Sequence, residues 1–417
     1  VEVGLAKVLW LGDAGCHTGF ARVTHAIGDR LVDKGHDIHC LATNYQGDHF
    51  ATKVKLYRPT KLLQNDFYGK SRIIEMLGNV EPDVVVVLND PALISNLLFD
   101  NGYDKDRYLL QYRPLIAYMP IDGHNPPPGW KILNKVTKPV AMTKFGRDAF
   151  MEPDAPVVYH GVDTDVFYPV SKERPIYTST GLTVTSKREA KAAFQYPEDS
   201  FLILRVDRNS GRKDYPASWK ALVPVMRRHR DIIVHFHCQG MGDTMGVDIR
   251  ALKSRDPDTS NRFFLPDLLN TFIGWDEADL NCLYNAADLF ISTSRGEGFG
   301  LTIAEAMSVG LPVIAQNVSA IPEVVGPGGQ LIDPQREITV PSGQDQWLAD
   351  IEAFAEAIEH AYLSAGWRRD RGRAGRDHII KSFSWDYAAD RFDEYIAELK
   401  EGVDAAFAQQ QPSAVGA

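Results

Sequence analysis

Short hydrophobic runs alternate with helical periodicity almost from the start of the chain. Lys7–Leu11 reads as a strand. Phe20, Val23, Ile27 and Leu31 then recur at helical spacing through Lys34, and Gly35 closes that helix. Ile38–Ala42 is the next strand. Asp83–Leu88 (DVVVVL) is unbroken and β-branched, the pattern of a strand covered on both faces. Leu115–Met119, Pro139–Thr143 and Val157–Tyr159 continue the series. This alternation predicts an α/β domain with a mostly parallel sheet.

Residues 170–198 break the rhythm, being polar and rich in Pro, Ser, Thr and Lys before a short helix-like KREAKAAF, and are read as an interdomain connection. A second alternation follows. Strands are expected at Phe201–Val206, Ile232–His237, Thr271–Ile273, Asp288–Ser292 and Pro312–Ala315, with helices from about Pro216 to Arg228, up to Ala286, and over Leu301–Val309. After residue 345 the chain is expected to be helical, through FSWDYAADRFDEYIAELK, before a tail of disordered composition. The expected division is 1–170 and 171–384 as two Rossmann-like domains, 385–404 as a C-terminal helix and 405–417 as a disordered tail. A cleft between two such halves is the default active site.

Composition narrows the class. No apolar run approaches the ~18 residues of a membrane span, and the N-terminal stretch lacks the basic and apolar regions of a signal peptide, so a cytoplasmic location is expected. The four cysteines are scattered, with neither a CxxC pair nor zinc spacing, and are expected to be reduced. A net charge of −10 argues against general polyanion binding. Two local basic groups remain, Lys131, Lys135, Lys138, Lys144 and Arg147, then Arg227, Arg228 and Arg230; a solvated helix face is the plainer reading of each.

The most informative stretch is RGEGFGLTIAEAMSVGLPVIAQ. Gly296, Gly298 and Gly300 allow close backbone approach to a ligand, and the amides at the start of the following helix suit an anion such as phosphate. Glu297 and Glu305 are seven residues apart, about 12 Å along a helix at ~1.5 Å per residue. That is too far for the acid and nucleophile of a retaining glycosidase, roughly 5–5.5 Å apart. Glu305 has a structural alternative, because Thr302-Ile-Ala-Glu305 fits a capping box. A carboxylate among turn glycines, as at Glu297, has no core role.

RGEGFGLTIAEAMSVGLPVIAQNVSAIPEVV resembles the E-x7-E motif of retaining glycosyltransferase family 4. HGVDTDVFYP at 160–169, GWDEADLNCLYNAADLFISTS within 271–294, and FSWDYAADRF also resemble that family, in the right order. The resemblance implies a GT-B fold: two Rossmann-like α/β domains facing a cleft, with a C-terminal helix crossing back to the first. It implies that Glu297 faces donor-sugar hydroxyls and Glu305 holds the ribose. Gly298, Phe299, Gly300, Leu301 and Thr302 would approach the sugar and diphosphate, with Ile273 and Trp275 in the segment supporting the nucleobase. In RVDRNSGRKDYP, Arg208 and Lys213 match an R-x4-K pattern that stabilises the leaving diphosphate, with Arg212 as the competing cation. Asp214 stands where the family usually has glycine. In GDAGCHTGFARV, Thr18 and Gly19 are the expected donor contacts. In YMPIDGHNPPPGW, Asp122 and His124 are the polar groups at a strand end, near the transferred sugar in the family; Asp122-Gly123 alternatively forms a plain turn.

Two patterns are discounted. Asp163-Thr164-Asp165 spells DxD but sits in a domain-end turn, and His235 and His237 lack a third ligand, so no metal site is expected. The expectation is a metal-independent, retaining hexosyltransferase using a nucleotide sugar (UDP-glucose or similar) and requiring no other cofactor. The acceptor would be a saccharide, lipid or small molecule. RNSGRK and the compact first domain also resemble bacteriophage glycosyltransferases, some of which modify hydroxymethylated DNA, so modified DNA is an alternative acceptor. A GT-B sugar-nucleotide epimerase, a phosphorylase taking inorganic phosphate and a non-catalytic Rossmann-type binding module are the alternative readings.

Overall fold

A computed structural model describes residues 5–59, 68–99, 114–242, 245–267, 269 and 274–410. The chain divides into two units. The first comprises Val1–Ile121, Pro127–Gly161 and Trp385–Ala417, the second Asp122–Pro126 and Val162–Ser384.

In the first unit β1 (Lys7–Asp13), β2 (Asp37–Thr43), β3 (Lys55–Tyr57), β4 (Val84–Leu88), β5 (Leu115–Met119) and β6 (Lys138–Ala141) form a parallel sheet in the order β3-β2-β1-β4-β5-β6. The helices α1 (Gly19–Asp33), α2 (Ile73–Val80) and α3 (Pro91–Phe99) lie between its strands, and α4 (Lys144–Phe150) follows β6. Strands β4 and β5 are buried at every residue, as an unbroken apolar run requires. Val157 makes a single parallel bridge to Ala141 in place of the expected strand.

The second unit begins with β7 (Ile176–Tyr177), β8 (Thr183–Val184) and α5 (Lys187–Ala193), so the polar stretch read as a connection forms a small hairpin and a Ser186-capped helix. Its main sheet contains β9 (Phe201–Val206), β10 (Ile232–His237), β11 (Phe263–Phe264), β12 (Leu289–Ser292), β13 (Val313–Gln316) and β14 (Gly329–Ile332). The order β11-β10-β9-β12-β13-β14 repeats that of the first sheet, so strand order reverses beside β9. Ligands of doubly wound sheets lie at the carboxyl ends of strands at this reversal. Helices α6 (Tyr215–Arg228), α7 (Ile249–Lys253), α8 (Glu277–Ala286), α9 (Leu301–Ser308) and α10 (Ile321–Val325) join the strands. An antiparallel hairpin, β15 (Pro334–Thr339) and β16 (Asp345–Ala349), precedes α11 (Ile351–Leu363) and α12 (Ala365–Ser382). The helical region therefore starts at Ile351 behind an Asp350 cap, and residues 345–349, expected to be helical, pair as a strand.

The last helix, α13 (Trp385–Gln410), belongs to the first unit. Phe392 is fully buried, 5.8 Å from the Trp10 ring and 5.1 Å from Tyr118, a burial contributing about 2–3 kcal/mol. Asp393 pairs with His36 at 2.8 Å and Asp386 with Arg30 at 2.6 Å, fixing α13 along α1. The helix runs through 405–410, past the end expected from composition. Residues 411–417 and the expected strand Thr271–Ile273 lie outside the described residues.

Candidate active site

The loop after β9 carries the site's cations. Arg205, within that strand, is fully buried and is not the surface charge it could have been. Its guanidinium donates to Ser218, to Thr293 Oγ1 at 2.7 Å and to the Lys213 carbonyl, and lies over the Tyr215 ring. A buried guanidinium needs acceptors; both terminal nitrogens have them, while Nε lies 3.5 Å from the Asp207 carboxylate, and the bond to the Lys213 carbonyl fixes the backbone of that turn. Asp214 follows in the left-handed region (φ 47°, ψ 56°), which explains how it can stand at a position where a glycine is usual: Asp tolerates this conformation better than most residues. Its carboxylate caps α6 by accepting the Ala217 N–H at 3.3 Å and receives Arg295 Nε at 2.9 Å.

The glycine turn between β12 and α9 closes on this loop. A side chain at Gly296 is excluded, since its Cβ would fall 1.9 Å from the Asp122 carbonyl oxygen. Glu297 is 6% exposed, and its N–H donates to Ser319 Oγ at 2.8 Å. Its carboxylate receives Lys213 Nζ at 2.6 Å on one oxygen and Arg212 Nη1 at 3.1 Å on the other. Lys213 also pairs with Asp207 at 2.6 Å. Arg212 donates to the Gly296 carbonyl and, through Nε, to Asp122 at 2.9 Å. Burial alone pushes the Glu297 carboxyl up, but Lys213 and then Arg212 outweigh it and hold it down at about 2. Burial raises Asp122, with Arg212 opposing.

Gly300, at φ 105°, is the N-cap of α9 and lets the turn enter the helix directly. The amides of Leu301 and Thr302 precede the first intrahelical bond, made by Ile303, and form an anion-competent helix start. Because Gly300 is the cap, Thr302 and Glu305 make no capping box. Glu305 is buried and accepts the Tyr284 hydroxyl at 2.9 Å. Gly298 and Phe299 are buried, Phe299 edge-on to Phe383 at 5.3 Å.

The other expected residues are distributed as follows. His124 exchanges backbone hydrogen bonds with Asp345 of β16, 2.9 Å each way, and its ring lies edge-on to Trp347 at 4.8 Å. Arg208 is exposed on the loop after β9. Trp275 is half-buried, stacked on Phe194 at 5.6 Å and edge-on to His237 at 4.4 Å. His235 and His237 are buried, burial pushing His237 down to about 4, and Tyr196 meets His235 Nδ1 at 2.5 Å. Ile273 lies outside the described residues. In the first unit Thr18 caps α1, its oxygen accepting from Ala21 while its hydroxyl donates to Asp13, which leaves backbone at Gly19 as the accessible group. Asp163 accepts the Asp165 and Val166 amides in a local turn, and Asp165 pairs with Arg174. Among the described residues no three His, Cys, Asp or Glu side chains gather as a metal-ligand set.

Asp207, Ser319 and the β15–β16 hairpin belong to the site and were missed. Asp207 lies inside the quoted RVDRNSGRK, where an acid two residues past a buried arginine was the available signal. Ser319 and Trp347 carried none.

Residues 211–363 match the family described as glycosyl transferases group 1. The chain is 28% identical over 239 residues to the O-antigen chain mannosyltransferase B of Escherichia coli, covering 49% of this chain and 57% of that protein. The matched segments span about half the length of such curated relatives or less. Among solved structures, the sucrose-phosphate synthase of Thermosynechococcus elongatus superposes with a TM-score of 0.69 at 16% identity, over 96% of this chain and 99% of that one. An Anabaena protein solved in complex with UDP-glucose superposes at 0.66 and 16% identity, over 94% and 100%. The solved structures show the GT-B fold for the chain, and its sequence over residues 211–363 is similar to glycosyl transferases group 1.

Proposed function

We propose that the chain transfers a hexose from a nucleoside-diphosphate sugar, a UDP-sugar, to a saccharide hydroxyl with retention of anomeric configuration. The observation carrying this reading is the buried Glu297 carboxylate held between Lys213 and Arg212 beside the open amides of α9. A transferase must meet negative charge developing on the departing diphosphate with fixed cations and dipoles. Two of the three Lys213 ammonium donors are engaged by Asp207 and Glu297. The third, with Arg208 and the amides of Leu301 and Thr302, meets the diphosphate without a metal. Glu297 orients the sugar hydroxyls and Glu305, presented by Tyr284, the ribose. The C1–O bond to phosphate breaks as the acceptor oxygen bonds to C1 on the same face, and the acceptor proton passes to the departing diphosphate.

The UDP-glucose complex of the Anabaena protein supports the choice of donor, and the mannosyltransferase relative supports a saccharide acceptor; modified DNA has no support among the relatives. No described helix is long and apolar enough to cross a membrane. The test is incubation with a panel of nucleotide sugars, with and without saccharide acceptors. Nucleotide release that depends on acceptor is expected. Epimerised donor in the absence of acceptor would overturn the reading.

A further inference from the structure

Arg212 stands in the loop expected to hold the donor diphosphate, yet its contacts lie elsewhere. Nε is given to Asp122, and Nη1 to both the Gly296 carbonyl and Glu297. The planar guanidinium thus joins its own loop to a segment 90 residues earlier and to a turn 84 residues later in the sequence. It can do so because its donors form a rigid fork, which a point-charge ammonium lacks.

Asp122 is itself mounted. Residues 122–126 lie along β16 through the paired His124 and Asp345 backbone bonds, and Asn125 donates to the Asp345 carboxylate at 2.6 Å. The hairpin is tied back to the glycine turn, because Trp347 donates its N–H to the Arg295 carbonyl at 3.3 Å while Gln316 donates to the Trp347 carbonyl at 3.1 Å. The Arg295 N–H donates in turn to the Arg212 carbonyl at 2.9 Å. A closed ring of contacts therefore runs from hairpin to Asp122, to Arg212, to the glycine turn, and back to the hairpin.

We propose that Arg212 is a positioning residue, anchored by Asp122, that sets the Glu297 carboxylate and the glycine turn and does not itself bind the donor diphosphate. This rests on the reading of Glu297 as the group that orients the donor sugar. Lys213 and Arg212 have separate tasks: Lys213 is a point charge held between Glu297 and Asp207 beside the expected diphosphate, whereas Arg212 braces the turn. The charged groups around Glu297 are Lys213, Arg212 and Asp207 from the loop after β9 and Asp122 from the 122–126 segment; Arg295, on the turn itself, is paired with Asp214. Removing Arg212 takes away one of the two cations that favour the ionised carboxylate, so the pH below which Glu297 protonates must rise.

The experiment compares full-length wild type, Arg212→Ala, Asp122→Asn and Lys213→Ala. It measures UDP and UDP-glucose affinity by calorimetry and turnover of UDP-glucose, as acceptor-dependent transfer or hydrolysis, across pH, with a thermal melt to verify folding. Arg212→Ala is expected to keep UDP affinity within about threefold while turnover falls about 100-fold, the scale of a misplaced catalytic group. The acid limb of its turnover profile should move up by about one pH unit. Asp122→Asn should lower turnover by less, again with UDP affinity kept, and covers the case in which Arg212→Ala does not fold. Lys213→Ala should lose UDP affinity. If Arg212→Ala loses UDP affinity as Lys213→Ala does, if its acid limb stays in place, or if folded Asp122→Asn turns over at the wild-type rate, the assignment of Arg212 is overturned. Wild-type protein that binds neither UDP nor UDP-glucose would instead overturn the UDP-sugar reading on which it rests.

Discussion

Asp214 makes three claims testable in one position: left-handed backbone, helix cap and ion pair. Its replacements separate them. Asp214→Ala removes the cap on α6, costing about 1 kcal/mol. It puts a residue without a short polar side chain at φ 47°, adding about 1 kcal/mol. It also strips Arg295 of a 2.9 Å partner that is largely buried, another ~1 kcal/mol. The total is about 3 kcal/mol. Asp214→Gly forfeits only a few tenths for the cap, loses the same ion pair, and relieves the backbone, for a net cost of about 1 kcal/mol. Asp214→Asn keeps the cap and tolerates the dihedrals, and should also cost about 1 kcal/mol through the lost charge. Urea denaturation of the three variants in one background, followed by tryptophan fluorescence, reads the order directly. A glycine variant as unstable as the alanine variant, or an alanine variant within about 1 kcal/mol of wild type, would refute the account of why aspartate can occupy this turn.

Four further outcomes follow from the same geometry. Glu297→Gln should fold and lose transfer by at least about 100-fold; wild-type turnover in this variant would remove Glu297 from the reaction. Because the folded Glu297 carboxyl sits at about 2, below its ordinary 4.5, its ionisation stabilises the fold above pH ~4.5, and that contribution is lost as pH falls toward about 2. The stability gap between wild type and Glu297→Gln should therefore narrow across that window, and a constant gap in acid denaturation would contradict it. His237, held at about 4 by burial, should remain neutral at pH 7, so its ring protons should show no NMR titration step between pH 5 and 8; a midpoint near 6.5 would mean the ring is solvated. Trp347→Ala removes the ring under His124 and should lower turnover without a change in UDP affinity; equal losses in both would show the hairpin to be a donor contact.

The main sheets were legible because their strands are continuous apolar runs, and DVVVVL could hardly be anything but a strand covered on both sides. Strands β3 and β11, three and two residues long, leave no period to detect. The β15–β16 hairpin was hidden in a polar stretch whose strands are only half-buried. At the site, Glu297 could be picked out because a carboxylate among turn glycines has no packing purpose, and Lys213 through the R-x4-K pattern of the family it resembles. The partnership of Asp122 with Arg212 could not, since nothing local relates an aspartate after β5 to an arginine 90 residues on. The capping-box reading failed for a definite reason: glycine at 300 caps α9 two residues earlier than Thr302 would have done, which leaves Glu305 to Tyr284.

The five residues 122–126 come from the loop after β5 yet pack with the donor-side unit. A chimera that exchanged the second unit between related chains by cutting at Gly161–Val162 and Ser384–Trp385 would leave residues 122–126 behind. Such a chimera would inherit Arg212 from one parent and its anchoring carboxylate from the other. A graft that carries this pentapeptide along with 162–384 keeps the two matched, so this short excursion of the chain is inherited with the second unit and not with the strands that flank it in sequence.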